Sequence, residues 1–400
     1  MTTIAPTPHL KNSTLWVMTV ATGLTICNIY YNQPLLVDIG NTYNITSAKA
    51  GQVSTITQIG YAAGMLLFAP LADMFKRKRL MLMDLGVVIF ALIAAAAAPN
   101  IHILLVACFF VGVFSHIPQL LIPMTAHLAS PHERGKKIGI VMSGLLIGIL
   151  LSRTLAGFIC AHFGWRAVFY IAAGLMVFMW MLLYFMLPEI NPDYKGTYKN
   201  LMKSMWHLVR DEPTLRIAAA RGALCFACFS AFWTVLSFLL KTNFNLGSDV
   251  AGLFGLIGAS GAIAAGLMGR LSDIMDAFKL TFSMIALLVL SFVIFYFSGY
   301  SMVGLVIGVI AMDMGMQASH LSNQALIFAL DPGARNRINT VYMVTYFLGG
   351  AAGSYLSSLI WSYYQWTGVS IMGIALSVIA LLVHILNRKK LQQKRASVQS

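Results

Sequence analysis

The chain has 400 residues, 58% of them hydrophobic and only 10% charged, with a mean hydropathy of +0.78. A soluble domain carries about 25% charged residues, so too few remain here to cover a water-soluble globule, and the low hydrophobicity of a disordered chain is absent as well. The 27 Lys and Arg against 13 Asp and Glu leave a formal charge of +14, which in so apolar a chain bears on membrane sidedness and not on nucleic acid.

A helix needs roughly 20 apolar residues to cross the hydrocarbon core. Runs of that kind lie near 15–38, 51–72, 80–98, 101–128, 138–160, 165–187, 215–240, 250–270, 280–299, 301–329, 338–362 and 367–387. The reading is an all-α integral membrane protein with twelve transmembrane helices. The runs are continuous, not alternating, which excludes a β-barrel. The first is too long for a cleaved signal peptide and lacks a small-residue cleavage site. Alternate connections hold 22 of the 27 basic residues, the opposite set holds Lys49, Arg166 and Lys241, and Arg153 and Arg221 lie inside spans. Positive charge stays on the cytoplasmic side, so both termini are expected there. Cys27, Cys108, Cys160, Cys225 and Cys228 all fall in apolar runs without metal-ligand spacing, and read as buried filler.

The longest polar connection divides the spans six and six. It gives an amino-terminal bundle over 1–187, a central loop over 188–214, a carboxy-terminal bundle over 215–388 and a basic tail over 389–400. Within the loop, Leu201, Met202, Met205, Trp206 and Val209 are spaced as on an amphipathic helix lying on the membrane face. The halves echo each other. Pro70-Leu71-Ala72-Asp73 matches Arg270-Leu271-Ser272-Asp273, Pro131 and Arg134 match Pro332 and Arg335, and His116 matches His320 at an offset of 204. A parallel repeat of six spans suits a transporter whose halves rock about a midplane site.

The segment from Ala69 to Arg79 resembles the loop between the second and third helices of the major facilitator superfamily, and Gly269-Arg-Leu-Ser-Asp273 is similar to the first half of that motif. Ala69, Met74 and Lys76 depart from the motif's usual glycine, basic residue and second glycine. The runs Asn28-Ile-Tyr-Tyr-Asn-Gln-Pro-Leu-Leu36, Gln317–Gln324 and Ala334–Met343 resemble a bacterial subgroup placed near the drug:proton antiporters. The resemblance implies two pseudo-symmetric six-helix halves, a small-molecule substrate, no enzymatic activity, and a monomer in the bacterial inner membrane. In the fifth span, Arg153 stands where the antiporter motif has a proline, which weakens a direct transfer of antiport.

Ionisable groups near the bilayer centre cost about 2.5–3.5 kcal/mol or more, so each needs a partner or a wet cavity. Asp313 lies twelve residues into the tenth span, roughly 18 Å deep at 1.5 Å per residue. It is a candidate proton carrier, the alternative being a fixed partner for a buried arginine. His320 shares its face with Asp313, Gln317 and Gln324, and is read with Asp313 as proton-coupling. His116 and Gln119 form a similar stripe in the fourth span. Arg153 either contacts an anionic group of the substrate or pairs with Asp313 or Asp38. Asn28, Tyr31 and Gln33 at the end of the first span are expected on a cavity wall, with Pro34 bending the helix. Gln58, Trp233, Tyr342 and Tyr346 complete the candidate substrate contacts. Asp73, Arg77 and Asp273, at cytoplasmic helix ends, read as gating charges, and Asp84 as an extension of that latch. Arg221 is expected to snorkel to the cytoplasm, and His102, His127 and His384 to sit at the interface.

No G-x-x-x-x-G-K-[ST] loop, nucleophile–base pair or metal cluster occurs in the sequence. Without cofactor or nucleotide, energy must come from a gradient, and His with Asp inside spans suits protons. The expected function is export of a small organic molecule in exchange for protons. The alternatives are proton-coupled uptake of an organic acid, with Arg153 as carboxylate clamp, or a transport-inactive receptor.

Overall fold

The computed structural model describes residues 10–130, 132–192, 196–258 and 276–388. The described residues are helical, without strands: α1 (Asn12–Tyr30), α2 (Leu36–Tyr43), α3 (Ser47–Leu67), α4 (Arg77–Ala96), α5 (Ile101–Phe114), α6 (Pro118–Leu128), α7 (Arg134–Phe163), α8 (Trp165–Met186), α9 (Tyr198–Asp211), α10 (Pro213–Phe244), α11 (Ser248–Ile257), α12 (Ala277–Phe297), α13 (Met302–Phe328) and α14 (Arg335–Leu386). Nine helical stretches among these residues are long and apolar enough to cross a membrane. One of them, α14, has 52 residues and breaks at Gln365 (φ 50°, ψ −147°), so it supplies the last two predicted spans. The first predicted span falls outside the nine because its protein-facing side is polar: Thr14, Thr19, Thr22, Thr25 and Asn28 are all buried. The eighth leaves the described residues after Gly258, and Asp273 and the basic tail also lie outside them.

Local chemistry sets the breaks. Pro34, lacking an N–H, sits in a 3₁₀ turn (Gln33–Leu35) between α1 and α2, as expected of the first span. The fourth predicted span is divided too, at Ser115–Ile117, with Pro118 opening α6. Asn44 and Asn245 adopt left-handed conformations that end α2 and α10, and the side chains of Asn100, Asp276 and Ser301 cap α5, α12 and α13. The starts of α4 and α14 bring Arg77 and Arg337 to one cleft, whose side of the molecule is termed the basic face. There α9 runs from the amino-terminal bundle, where the Tyr198 hydroxyl donates to Leu67 O at 3.0 Å, towards α10 and α14. Leu201 and Met205 are buried beneath it while Trp206 is exposed, as the amphipathic spacing predicts. The two bundles meet mainly along α3 against α14 and α7 against α11.

Candidate functional site

A cavity enclosing about 800 Å³ of space, part of it open solvent, lies between the bundles. Its walls come from α1, α3, α6, α7, α10, α13 and α14, with Tyr30, Tyr61, Phe226, Phe229, Tyr346 and Phe347 as the aromatic part. Gln119, Gln317, His320 and Gln324 supply the polar part, and no carboxylate, lysine or arginine lines it among the described residues. Tyr346 stacks on Phe226 with centroids 4.0 Å apart, and His320 Nδ1 lies 3.0 Å from the Tyr342 hydroxyl. Gln119 is shared with a second cleft at the basic face, lined by Arg77, Asn336, Arg337 and Asn339, and accepts from Asn339 at 3.4 Å.

On the opposite side the bundles are tied together. Gln58 of α3 donates to Ser354 of α14 at 3.2 Å and accepts from Ser230 of α10 at 3.3 Å, while Thr234 and Ser354 lie 2.9 Å apart. Gly51 packs against Ser358 with no room for a side chain.

A buried charge cluster stands behind Tyr30 and Phe229. The Arg153 guanidinium lies 4.1 Å from the Trp233 ring, 4.9 Å from Tyr30 and 5.4 Å from Phe229, an aromatic enclosure that favours a cation. Its Nε donates to Gln33 Oε1 at 2.8 Å. Asp313 is the carboxylate that interacts with it electrostatically, while Asp38 instead accepts from Cys160 at 3.3 Å. Asp313 Oδ2 rests against Gly258, where any Cβ would lie 2.6 Å away. Gln33 Nε2 and Arg153 Nη2 are buried with no partner in the protein, while the Trp233 indole interacts with the Asp313 carboxyl. The cluster therefore holds two donors, Gln33 Nε2 and Arg153 Nη2, that a ligand or another conformation can engage.

The predicted residues thus separate. Gln119, Gln317, His320, Gln324 and Tyr346 line the cavity, with Tyr342 behind His320. Gln33, Arg153, Trp233 and Asp313 form the cluster, and Gln58 belongs to the tie. Asn28 and Tyr31 turn away from the cavity wall: Asn28 donates to Ser115 Oγ and accepts from the Tyr31 hydroxyl, each at 3.1 Å, and Tyr31 packs edge-on against Phe169. His116 likewise faces Asp84 inside the amino-terminal bundle, so Asp84 is no part of a surface latch. Arg221 does not snorkel. It is buried, with Nε and Nη2 donating to Asn323 Oδ1 and Nη1 meeting His384 Nδ1 at 2.5 Å, which draws His384 inward as well. Arg77 Nε donates to Ala72 O at 3.3 Å, and the Asp73 side chain lies outside the described residues. Apart from Tyr346, the sequence does not assign the aromatic wall residues Tyr61, Phe226, Phe229 and Phe347, nor Ser230 and Ser354 as partners of Gln58, because Phe and Ser inside an apolar span look the same whether they face lipid or protein.

The fold is that of a membrane transporter, with two helical bundles around a central cavity. A sequence profile of the Major Facilitator Superfamily matches residues 18–353, and the chain belongs to that family. It is similar to YgaY, an uncharacterized transporter of Escherichia coli O157:H7, at 38% identity over 94% of this chain and 96% of the relative. It is also similar to SCO4007, a probable transporter of Streptomyces coelicolor, at 33% identity over 88% and 82%. Among solved structures, a bacterial homolog of the human lysosomal transporter Spinster, inward-facing and unoccupied, aligns with a TM-score of 0.79 at 14% identity, covering 96% of this chain and 98% of that one. The protein is a multi-pass membrane transporter, not an enzyme.

Proposed function

We propose that the chain exports a small organic molecule in exchange for protons across the bacterial inner membrane. Residues 1–187 and 215–388 rock about the cavity, both termini are cytoplasmic, and the proton gradient supplies the energy. The observation that carries this reading is the placement of His320 in the cavity wall with Asp313 behind it, beside Arg153. Protonating Asp313 removes the negative charge facing Arg153 and so changes what the cluster can hold. Proton and substrate then lower each other's affinity, which is the simplest coupling for exchange. Asp73, Arg77 and Asp273 serve as gating charges on the cytoplasmic side.

The unengaged Arg153 Nη2 favours a second reading, uptake of an organic acid with a proton. Liposomes holding the purified chain and a pH dye, under an imposed proton gradient and challenged with cationic, neutral and anionic compounds, separate the readings. Exchange and co-transport move protons in opposite relation to substrate, and a receptor moves none. Asp313→Asn is expected to abolish the substrate-driven pH change, and proton-coupled transport persisting in that variant overturns the assignment.

A further inference from the structure

Asp84 of α4 and His116, at the break between α5 and α6, face each other inside the amino-terminal bundle, both fully buried, with Oδ2 and Nε2 3.6 Å apart. We propose that these two residues form a proton-binding site, separate from the central cavity, that holds one proton in the conformation seen here. His116 Nδ1 lies 2.9 Å from the Val113 carbonyl oxygen. A carbonyl only accepts, so Nδ1 carries the hydrogen, and the neutral ring turns the lone pair of Nε2 towards Asp84. Neither oxygen of Asp84 nor Nε2 has a hydrogen-bond partner in the protein. A buried carboxylate without donors is costly, whereas one proton on Oδ2, facing the Nε2 lone pair across 3.6 Å, leaves the pair neutral.

No other charged group among the described residues competes for that proton. From α1 the site meets Asn28, bonded to Ser115, and Tyr31, whose hydroxyl is spent on Asn28. From α8 comes Met176, whose sulfur accepts from Asn28, and after α3 the Phe68 ring lies 6.2 Å from the imidazole. Arg77, two turns away on α4 towards the basic face, donates to Ala72 O. The break joins this site to the cavity: Gln119, in the cavity wall, donates its backbone N–H to the His116 carbonyl at 2.9 Å. A rearrangement that wets the break therefore releases the proton and moves a wall residue together.

Infrared spectra of the full chain in lipid nanodiscs, titrated from acid to alkaline pH, test the site with the proton itself as probe. The wild type is expected to show a protonated-carboxyl band at neutral pH that Asp84→Asn removes and Asp313→Asn leaves. Asp84→Glu should move that band, and His116→Gln should shift it by changing the acceptor. The proposal is overturned if Asp84→Asn and Asp84→Glu leave every protonated-carboxyl band in place, or if the Asp84 band ignores His116→Gln.

Discussion

Where α7 crosses α11 on the sealed side, Gly157 and Gly252 let two backbones touch. A methyl group at Gly157 would lie 2.8 Å from Gly252 Cα and 3.0 Å from its nitrogen, with the Ser248 carbonyl oxygen closer still. Carbon pairs rest near 3.5–4.0 Å, so the helices must part by about 0.7 Å or more. The obstructing atoms are backbone, and no rotamer change relieves them. Overpacking of this kind costs about 1–3 kcal/mol. The crossing joins the two bundles, so the cost falls on the conformation sealed here and is relieved where that seal opens. At 1.4 kcal/mol per tenfold, Gly157→Ala is expected to shift the population about 5- to 150-fold towards the opened state. Spin labels at Asn41→Cys and Lys241→Cys, which flank a cleft on that side, read the change as a longer distance in pulsed EPR. Gly86→Ala is the control, because a Cβ there meets nothing within 4 Å. An unchanged distance distribution in Gly157→Ala, or an equal change in Gly86→Ala, refutes the reasoning.

Removing the Gln58 side chain by Gln58→Ala breaks two cross-bundle hydrogen bonds, and at about 1 kcal/mol each should favour the opened state in the same EPR assay. Arg221→Met leaves Asn323 and His384 without their buried donor and should lower thermal stability by about 1–3 kcal/mol per orphaned group, as read by unfolding in detergent. Glu189 is held below the ordinary carboxylate value by Lys76 at 2.7 Å and then Arg79 at 3.2 Å. A depressed value means that its contribution is present above the unfolded-state value of 4.5 and is lost as pH falls below it. The difference in melting temperature between wild type and Glu189→Gln should accordingly be small near neutrality, because the pair is exposed, and vanish in acid.

Much of the architecture was legible as composition. Twelve apolar runs, the sided basic residues and the echoed Asp73 and Asp273 loops specify a duplicated helical membrane protein, because burying a backbone in lipid leaves few alternatives. The ionisable residues within spans were equally visible, since hydrocarbon penalises each of them. Their pairings were not. Arg221 looked close enough to a helix end to reach water, yet Asn323, about a hundred residues later, and His384 on the last helix hold it inside.

The sequence by itself determined that the chain spans a membrane, how its helices alternate, and that Asp313, Arg153, His116 and His320 need partners. Only the tertiary structure decided who those partners are: Arg153 with Gln33 and Asp313, His320 with Tyr342, His116 with Asp84. Periodicity assigns a residue to one side of its own helix, but which neighbour meets that side depends on how the helices cross. That choice is made by close approaches such as Gly157 on Gly252 and by hydrogen bonds such as Gln58 to Ser354, between residues far apart in the chain.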